Sequence, residues 1–216
     1  FKHHVIANPL PGTPEYGTGA FTLADFDRDG DMDITISRRT DSAKCNWYQN
    51  QSGTWIKHLV GSTDPEQLGA ASTDINGDGF PDLVLGRIWF ENPGNLAKSP
   101  DSPWLKHLYS GGLQHENHDI VIANLNNDTK PDVLCYAQRD QGGTLRWYDT
   151  SNPAAWKRHD VAIGLNQTTI NNRLSSNGVH GGFAPAGVGD LDNDRYADIM
   201  MPVGWYKNPG KNTKQP

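Results

Sequence analysis

The sequence predicts an all-β protein made of four-stranded, propeller-type blades, and three observations carry that prediction. Only 35% of the 216 residues are hydrophobic, against 23 glycines and 14 prolines, a balance suited to short strands and many turns. One nine-residue, Asp-rich segment recurs four times along the chain. All seven tryptophans fall on just two positions of the repeat that this segment defines.

The recurring segments are Asp25-Phe-Asp-Arg-Asp-Gly-Asp-Met-Asp33, Asp74-Ile-Asn-Gly-Asp-Gly-Phe-Pro-Asp82, Asn124-Leu-Asn-Asn-Asp-Thr-Lys-Pro-Asp132 and Asp190-Leu-Asp-Asn-Asp-Arg-Tyr-Ala-Asp198. A short apolar stretch precedes each one, as in Ala20-Phe-Thr-Leu-Ala24 and Ile120-Val-Ile-Ala123. Another follows: Ile34-Thr-Ile36, Leu83-Val-Leu85, Val133-Leu-Cys135 and Ile199-Met-Met201. Both kinds read as buried strands. The third strand carries an aromatic pair, Trp47-Tyr48, Trp89-Phe90, Trp147-Tyr148 or Trp205-Tyr206, with Asn two residues on in three of the four. The fourth carries Trp-x-Lys/Arg-His, from Trp55 to His58, Trp104 to His107 and Trp156 to His159. Such strict repetition assigns the aromatic pairs to core packing and His58, His107 and His159 to structural strand positions. The predicted blades run from about 18 to 60, 67 to 110, 114 to 163 and 180 to 210, in a single repeat domain over 1–216. The extra length before the fourth, Gly164 to Gly178, is polar without alternation and reads as a surface loop.

The Asp-rich segment has the layout of a calcium loop. Calcium takes six to eight oxygens, and alternate residues of a tight loop turn toward a common centre. Positions one, three, five and nine supply the side-chain ligands: Asp25, Asp27, Asp29 and Asp33; Asp74, Asn76, Asp78 and Asp82; Asn124, Asn126, Asp128 and Asp132; Asp190, Asp192, Asp194 and Asp198. Position seven offers its backbone carbonyl. Gly30 and Gly79 suit the sharp turn at position six, whereas Thr129 and Arg195 compromise it in loops three and four. Loop three, with the fewest charges, ranks weakest. An EF-hand is excluded because position twelve, which must be a bidentate Glu, holds Ile36, Leu85, Cys135 and Met201. A merely solvated acidic surface fails on distribution, since the 36 loop positions hold 14 of the 25 acidic residues.

These loops and strands resemble the FG-GAP/VCBS repeat family, whose calcium-loop blades also build integrin α-chain propellers. The resemblance implies a secreted or cell-surface protein, a loop joining the first and second strands of each blade, and a ring that usually has seven blades. It favours a non-enzymatic module for adhesion, glycan or protein binding, or assembly. The enzymatic alternative is a polysaccharide lyase, because similar folds include lyases that use His with Tyr or Arg. Its candidates are the out-of-register His115, His118 and His180, with Tyr136 and Arg139.

Other classes are excluded more directly. No apolar run is long enough to span a membrane, and a net charge of −6 argues against nucleic acid as a partner. Cys45 and Cys135 occupy unlike repeat positions, so they read as core residues or free thiols, not as a disulfide framework. The fourth unit stops before any Trp-x-x-His strand, while Phe1-Lys-His-His4 matches that strand's register. Strand 1–8 therefore completes the fourth blade of its own ring, completes that of a neighbouring copy by strand exchange, or belongs to a longer propeller.

Overall fold

The computed structural model describes residues 1–6, 18–38, 44–63, 68–109, 117, 119–137, 140, 143–165, 187–201 and 204–210. Among them the chain is antiparallel sheet without an α-helix, and no helix is long and apolar enough to cross a membrane. It divides into two compact units, Phe1–Gly112 and Leu113–Pro216.

In the first unit β1 (Thr18–Ala24), β2 (Asp33–Arg38), β3 (Lys44–Gln51) and β4 (Thr54–Ser62) form one sheet in chain order. β5 (Ala70–Thr73), β6 (Asp82–Leu85), β7 (Ile88–Glu91) and β8 (Leu105–Leu108) form a second sheet of the same topology. Each Asp-rich loop joins a first strand to a second. β6 is buried along its whole length, as its unbroken Leu83-Val-Leu85 run requires of a strand covered on both faces. The two sheets meet along β1 and β5, where Ser72 Oγ donates to the Leu23 carbonyl at 2.9 Å. Phe26, Trp47, Leu83, Leu85, Phe90 and Trp104 fill the space between them. Trp47 and Trp89 are 0% and 2% exposed, so both aromatic pairs of this unit are core, as their repetition predicts.

The second unit repeats the plan with β9 (Asp119–Ala123), β10 (Asp132–Ala137), β11 (Thr144–Asp149) and β12 (Lys157–Ile163). Its other sheet holds β13 (Gly187–Gly189), β14 (Asp198–Met201) and β15 (Gly204–Tyr206), three strands among the described residues. Leu125, Leu134, Tyr136, Leu145, Ile199 and Met201 form its core. β11 also buries Arg146, whose guanidinium pairs with Asp140 and approaches Asp160, itself bonded to Arg158 at 2.7 Å. A buried charge persists only with such partners, and the sequence pattern gave no sign of this one. Phe1–Ile6 adopt no strand, with Phe1 and Val5 exposed, and residues 166–178 of the expected surface loop lie outside the described residues.

Candidate metal centre

Two left-handed residues fold each of loops one, two and four. They are Arg28 and Gly30, Gly77 and Gly79, and Asn193 and Arg195, at positions four and six. This geometry turns the amides of positions five and six onto the position-one carboxylate. Asp29 and Gly30 donate to Asp25 at 3.0 Å each, Asp78 and Gly79 to Asp74 at 3.2 and 2.9 Å, and Asp194 and Arg195 to Asp190 at 3.0 and 2.8 Å. Loop four therefore has the geometry of the glycine loops, although position six holds Arg195. The compromise expected there is a backbone strain of about 1 kcal/mol, the ordinary cost of a left-handed non-glycine residue, and not a change of shape. Loop three does differ. Only Asn127 is left-handed, because β-branched Thr129 avoids that region, and the Asn124 amide donates instead to the Asp128 carbonyl.

Position nine is the floor of each loop. Asp33, Asp82, Asp132 and Asp198 are all 0% exposed. One carboxylate oxygen of each accepts the amide of position two, from Phe26, Ile75, Leu125 and Leu191 at 2.7 to 3.0 Å. The other accepts the backbone amide of the Asn that follows an aromatic pair: Asn50 at 2.9 Å, Asn92 at 2.8 Å and Asn208 at 2.7 Å. In the third repeat that residue is Thr150, and the buried Asp132 Oδ1 has no hydrogen-bond partner. Burial pushes the carboxyls of Asp33 and Asp82 up to about 7 and that of Asp132 to about 6, against the opposing pull of these amides.

The recurring Asn does more than close its own loop. The Asn92 side-chain amide donates to the Pro81 carbonyl of its own loop at 3.0 Å and to the Phe26 carbonyl of the preceding loop at 2.9 Å. Asn208 repeats both contacts, to Ala197 at 3.0 Å and Leu125 at 2.7 Å. Each thus latches one sheet's third strand to its neighbour's loop.

The oxygens that converge belong to positions one, three and five. Ligand atoms of Asp25, Asp27 and Asp29 lie within 4.8 Å of one another, as do those of Asp190, Asp192 and Asp194. Such hard, charged oxygens from one short loop fit a calcium-type cation. Residues 25–85, which run from the first loop through the second and into β6, match the FG-GAP-like repeat family. This segment is an FG-GAP-like repeat. Among solved structures, the crystal structure of the V. cholerae biofilm matrix protein Bap1 is similar at 19% identity and a TM-score of 0.46, over 69% of this chain. The chain spans about a fifth of that protein, 21% of its length. No curated protein matches. Loops three and four lie beyond the matched FG-GAP-like residues and share their position-nine floor.

A further side chain that sequence reading missed reaches three of the loops from the third strand, one residue after the aromatic pair. Gln49 donates to Asp27, Glu91 accepts from Asn76 at 3.3 Å, and the Lys207 ammonium pairs with Asp192 and, at 3.0 Å, with Asp194. The Tyr196 amide and then this ammonium hold the Asp194 carboxyl below its ordinary range. In the third repeat the same place belongs to Asp149, whose charge helps to raise Asp132.

The catalytic candidates do not assemble among the described residues. His115, His118, His180 and Arg139 lie outside them. Tyr136 is 1% exposed inside the core, with its phenol pushed up to about 12 by burial. The in-register histidines lie against tryptophans: His107 stacks on Trp89 and His159 on Trp147 at 4.1 Å each, while His58 is tilted by 31° against Trp47 at 4.8 Å. Cys45 and Cys135 are free and buried, and burial raises both thiols.

Proposed function

We propose that the chain is a calcium-stabilised β-propeller module of an extracellular protein, serving adhesion, assembly or the binding of a glycan or protein surface and carrying no catalytic centre. The observation that supports this most is the convergence of Asp25, Asp27 and Asp29 in a loop whose backbone and floor are already fixed by hydrogen bonds. All of these ligands come from one loop between two strands, which is the layout of an ion that braces a fold. Three four-stranded sheets and a fourth with three described strands, all in chain order and latched in pairs through Asn92 and Asn208, supply the blades.

Thermal melting in chelator and in 10 mM calcium tests this reading. Sites of the affinity usual for extracellular modules, on the order of 10⁻⁴ to 10⁻³ M, add about 1.4–2.7 kcal/mol each at that concentration. Two filled loops therefore raise the midpoint by roughly 6–20 °C in a domain of this size, and magnesium does so far less. A midpoint that calcium leaves unmoved refutes the proposal.

A further inference from the structure

The side chain that follows each aromatic pair varies with position three of the loop beside it. The combinations are Asp27 with Gln49, Asn76 with Glu91, Asn126 with Asp149 and Asp192 with Lys207. Where position three is an aspartate, the third strand brings a neutral or basic group. Where it is an asparagine, the third strand brings an acid. The exchange holds in every repeat, so the charge that position three lacks is present on the neighbouring strand.

In loop two the geometry brings the two residues together. Asn76 Oδ1 accepts the Asp78 amide at 3.0 Å, as Asp27 Oδ1 accepts that of Asp29 at 3.2 Å in loop one. The other terminal atom of Asp27 is an oxygen, whereas that of Asn76 is an amide nitrogen, a donor that cannot serve a cation. This nitrogen is shared between two carboxylates, Asp78 Oδ2 at 3.1 Å and Glu91 Oε1 at 3.3 Å. Both acids thus reach the same point, one from the loop and the other from β7. The place of Glu91 is fixed by its surroundings. Its backbone lies between Phe90, 1% exposed in the core, and Asn92, whose amide is fastened to Asp82 at 2.8 Å. Its Oε2 pairs with His107 Nε2 at 2.9 Å, and His107 stacks on Trp89 at 4.1 Å.

We propose that Glu91 is a ligand of the cation in loop two, supplying from the third strand the acidic oxygen that position three lacks. This rests on the calcium reading of the loops and adds to it a ligand from outside the nine-residue motif. Calcium takes six to eight oxygens, and its affinity follows the charge of its ligands. A carboxylate within reach of Asn76 and Asp78 meets both needs. The bond from His107 holds the far oxygen of Glu91 and orients the carboxylate, the part that an outer-shell partner plays for a metal ligand. An ion held in this way ties loop two to β7 as well as joining the ends of β5 and β6.

Calcium titration of the whole chain, followed by NMR, tests this loop by loop. Gly30 and Gly79 occupy position six of loops one and two and donate to Asp25 and Asp74, so each amide signal reports its own site. Glu91→Gln keeps the shape of the side chain and an oxygen for His107. It should raise the midpoint of the Gly79 titration about tenfold or more and leave that of Gly30 unchanged. Adding Asn76→Asp gives loop two the combination of Asp27 with Gln49 and should return the Gly79 midpoint to within about threefold of wild type. A Glu91 that only anchors His107 gives no such rescue. The proposal falls if Glu91→Gln leaves the Gly79 midpoint in place, or if the double variant binds no better than Glu91→Gln. If neither glycine responds to calcium in the wild-type chain, the calcium reading falls with it.

Discussion

Replacing Asn92 by alanine removes three hydrogen bonds at once. Its amide donates to Phe26 and Pro81, and its side-chain oxygen accepts the Gly94 amide at 3.0 Å, all at a residue 2% exposed. The backbone bond from residue 92 to Asp82 survives, so the floor of loop two stays in place. At about 1 kcal/mol per bond, with two carbonyls left in a buried space that alanine cannot fill, the loss is roughly 3–4.5 kcal/mol. Asn50 is the internal control. Its amide reaches only the Met32 carbonyl of its own loop, at 3.3 Å, and its oxygen accepts the Gly53 amide at 2.8 Å, both near solvent, so Asn50→Ala should cost about 1–2 kcal/mol. Asn92→Asp keeps the size but turns a carboxylate toward two carbonyls, and should cost at least as much as alanine. Urea unfolding at fixed calcium measures all three. If Asn92→Ala and Asn50→Ala agree within about 0.5 kcal/mol, the latch between sheets carries no special weight and the reasoning is wrong.

Lys207→Met removes the cation that sits on loop four and should lower the Kd for calcium there severalfold, as read by calorimetry. Arg195→Gly relieves a left-handed residue without altering the loop, so the melting midpoint should rise by an amount equivalent to as much as ~1 kcal/mol, while Gly79→Ala lowers it by a similar amount. The pH dependence has a definite sign. The carboxyls of Asp33, Asp82 and Asp132 are raised in the fold, so the stability they contribute is full below the ordinary carboxylate range and is lost as pH rises through about 6 to 7. In chelator the midpoint should therefore fall between pH 5 and pH 8, and calcium, which favours the ionised form, should flatten or reverse that slope. A chelated protein that is more stable at pH 8 would falsify the assignment.

The strands and loops were legible because their signals are local. Leu83-Val-Leu85 and Ile199-Met-Met201 open, as expected, directly from a loop aspartate, and the aromatic pairs mark β3, β7, β11 and β15. What stayed hidden depends on partners far along the chain. The Asn after each aromatic pair was visible as a recurrence, but the carbonyls that give Asn92 and Asn208 their role are 66 and 83 residues away. Position nine carries the last ligand of the motif, and its burial and its two amide partners in loops one, two and four also fasten the loop to the third strand, which the sequence does not show. Arg195 breaks the glycine pattern at position six, yet its backbone takes a left-handed angle like those of Gly30 and Gly79, which composition does not reveal.

The third-strand residue changes how the four loops compare. Counted by sequence alone, loop two is poorer than loop one because Asn76 replaces an aspartate, and loop four looks as rich as loop one. In the fold Glu91 restores an acid beside Asn76, while Lys207 cancels one of the charges of Asp192 and Asp194. Loop one, with neutral Gln49 over Asp27, and loop two then each present a cation with three acidic side chains, in one case from the loop alone and in the other from the loop and the third strand. Loop four, for all its aspartates, starts with a competing ammonium in place. Affinity should therefore follow the sum of loop and third-strand charge, which places loops one and two together at the top and loop four below them despite its four ligand-position aspartates.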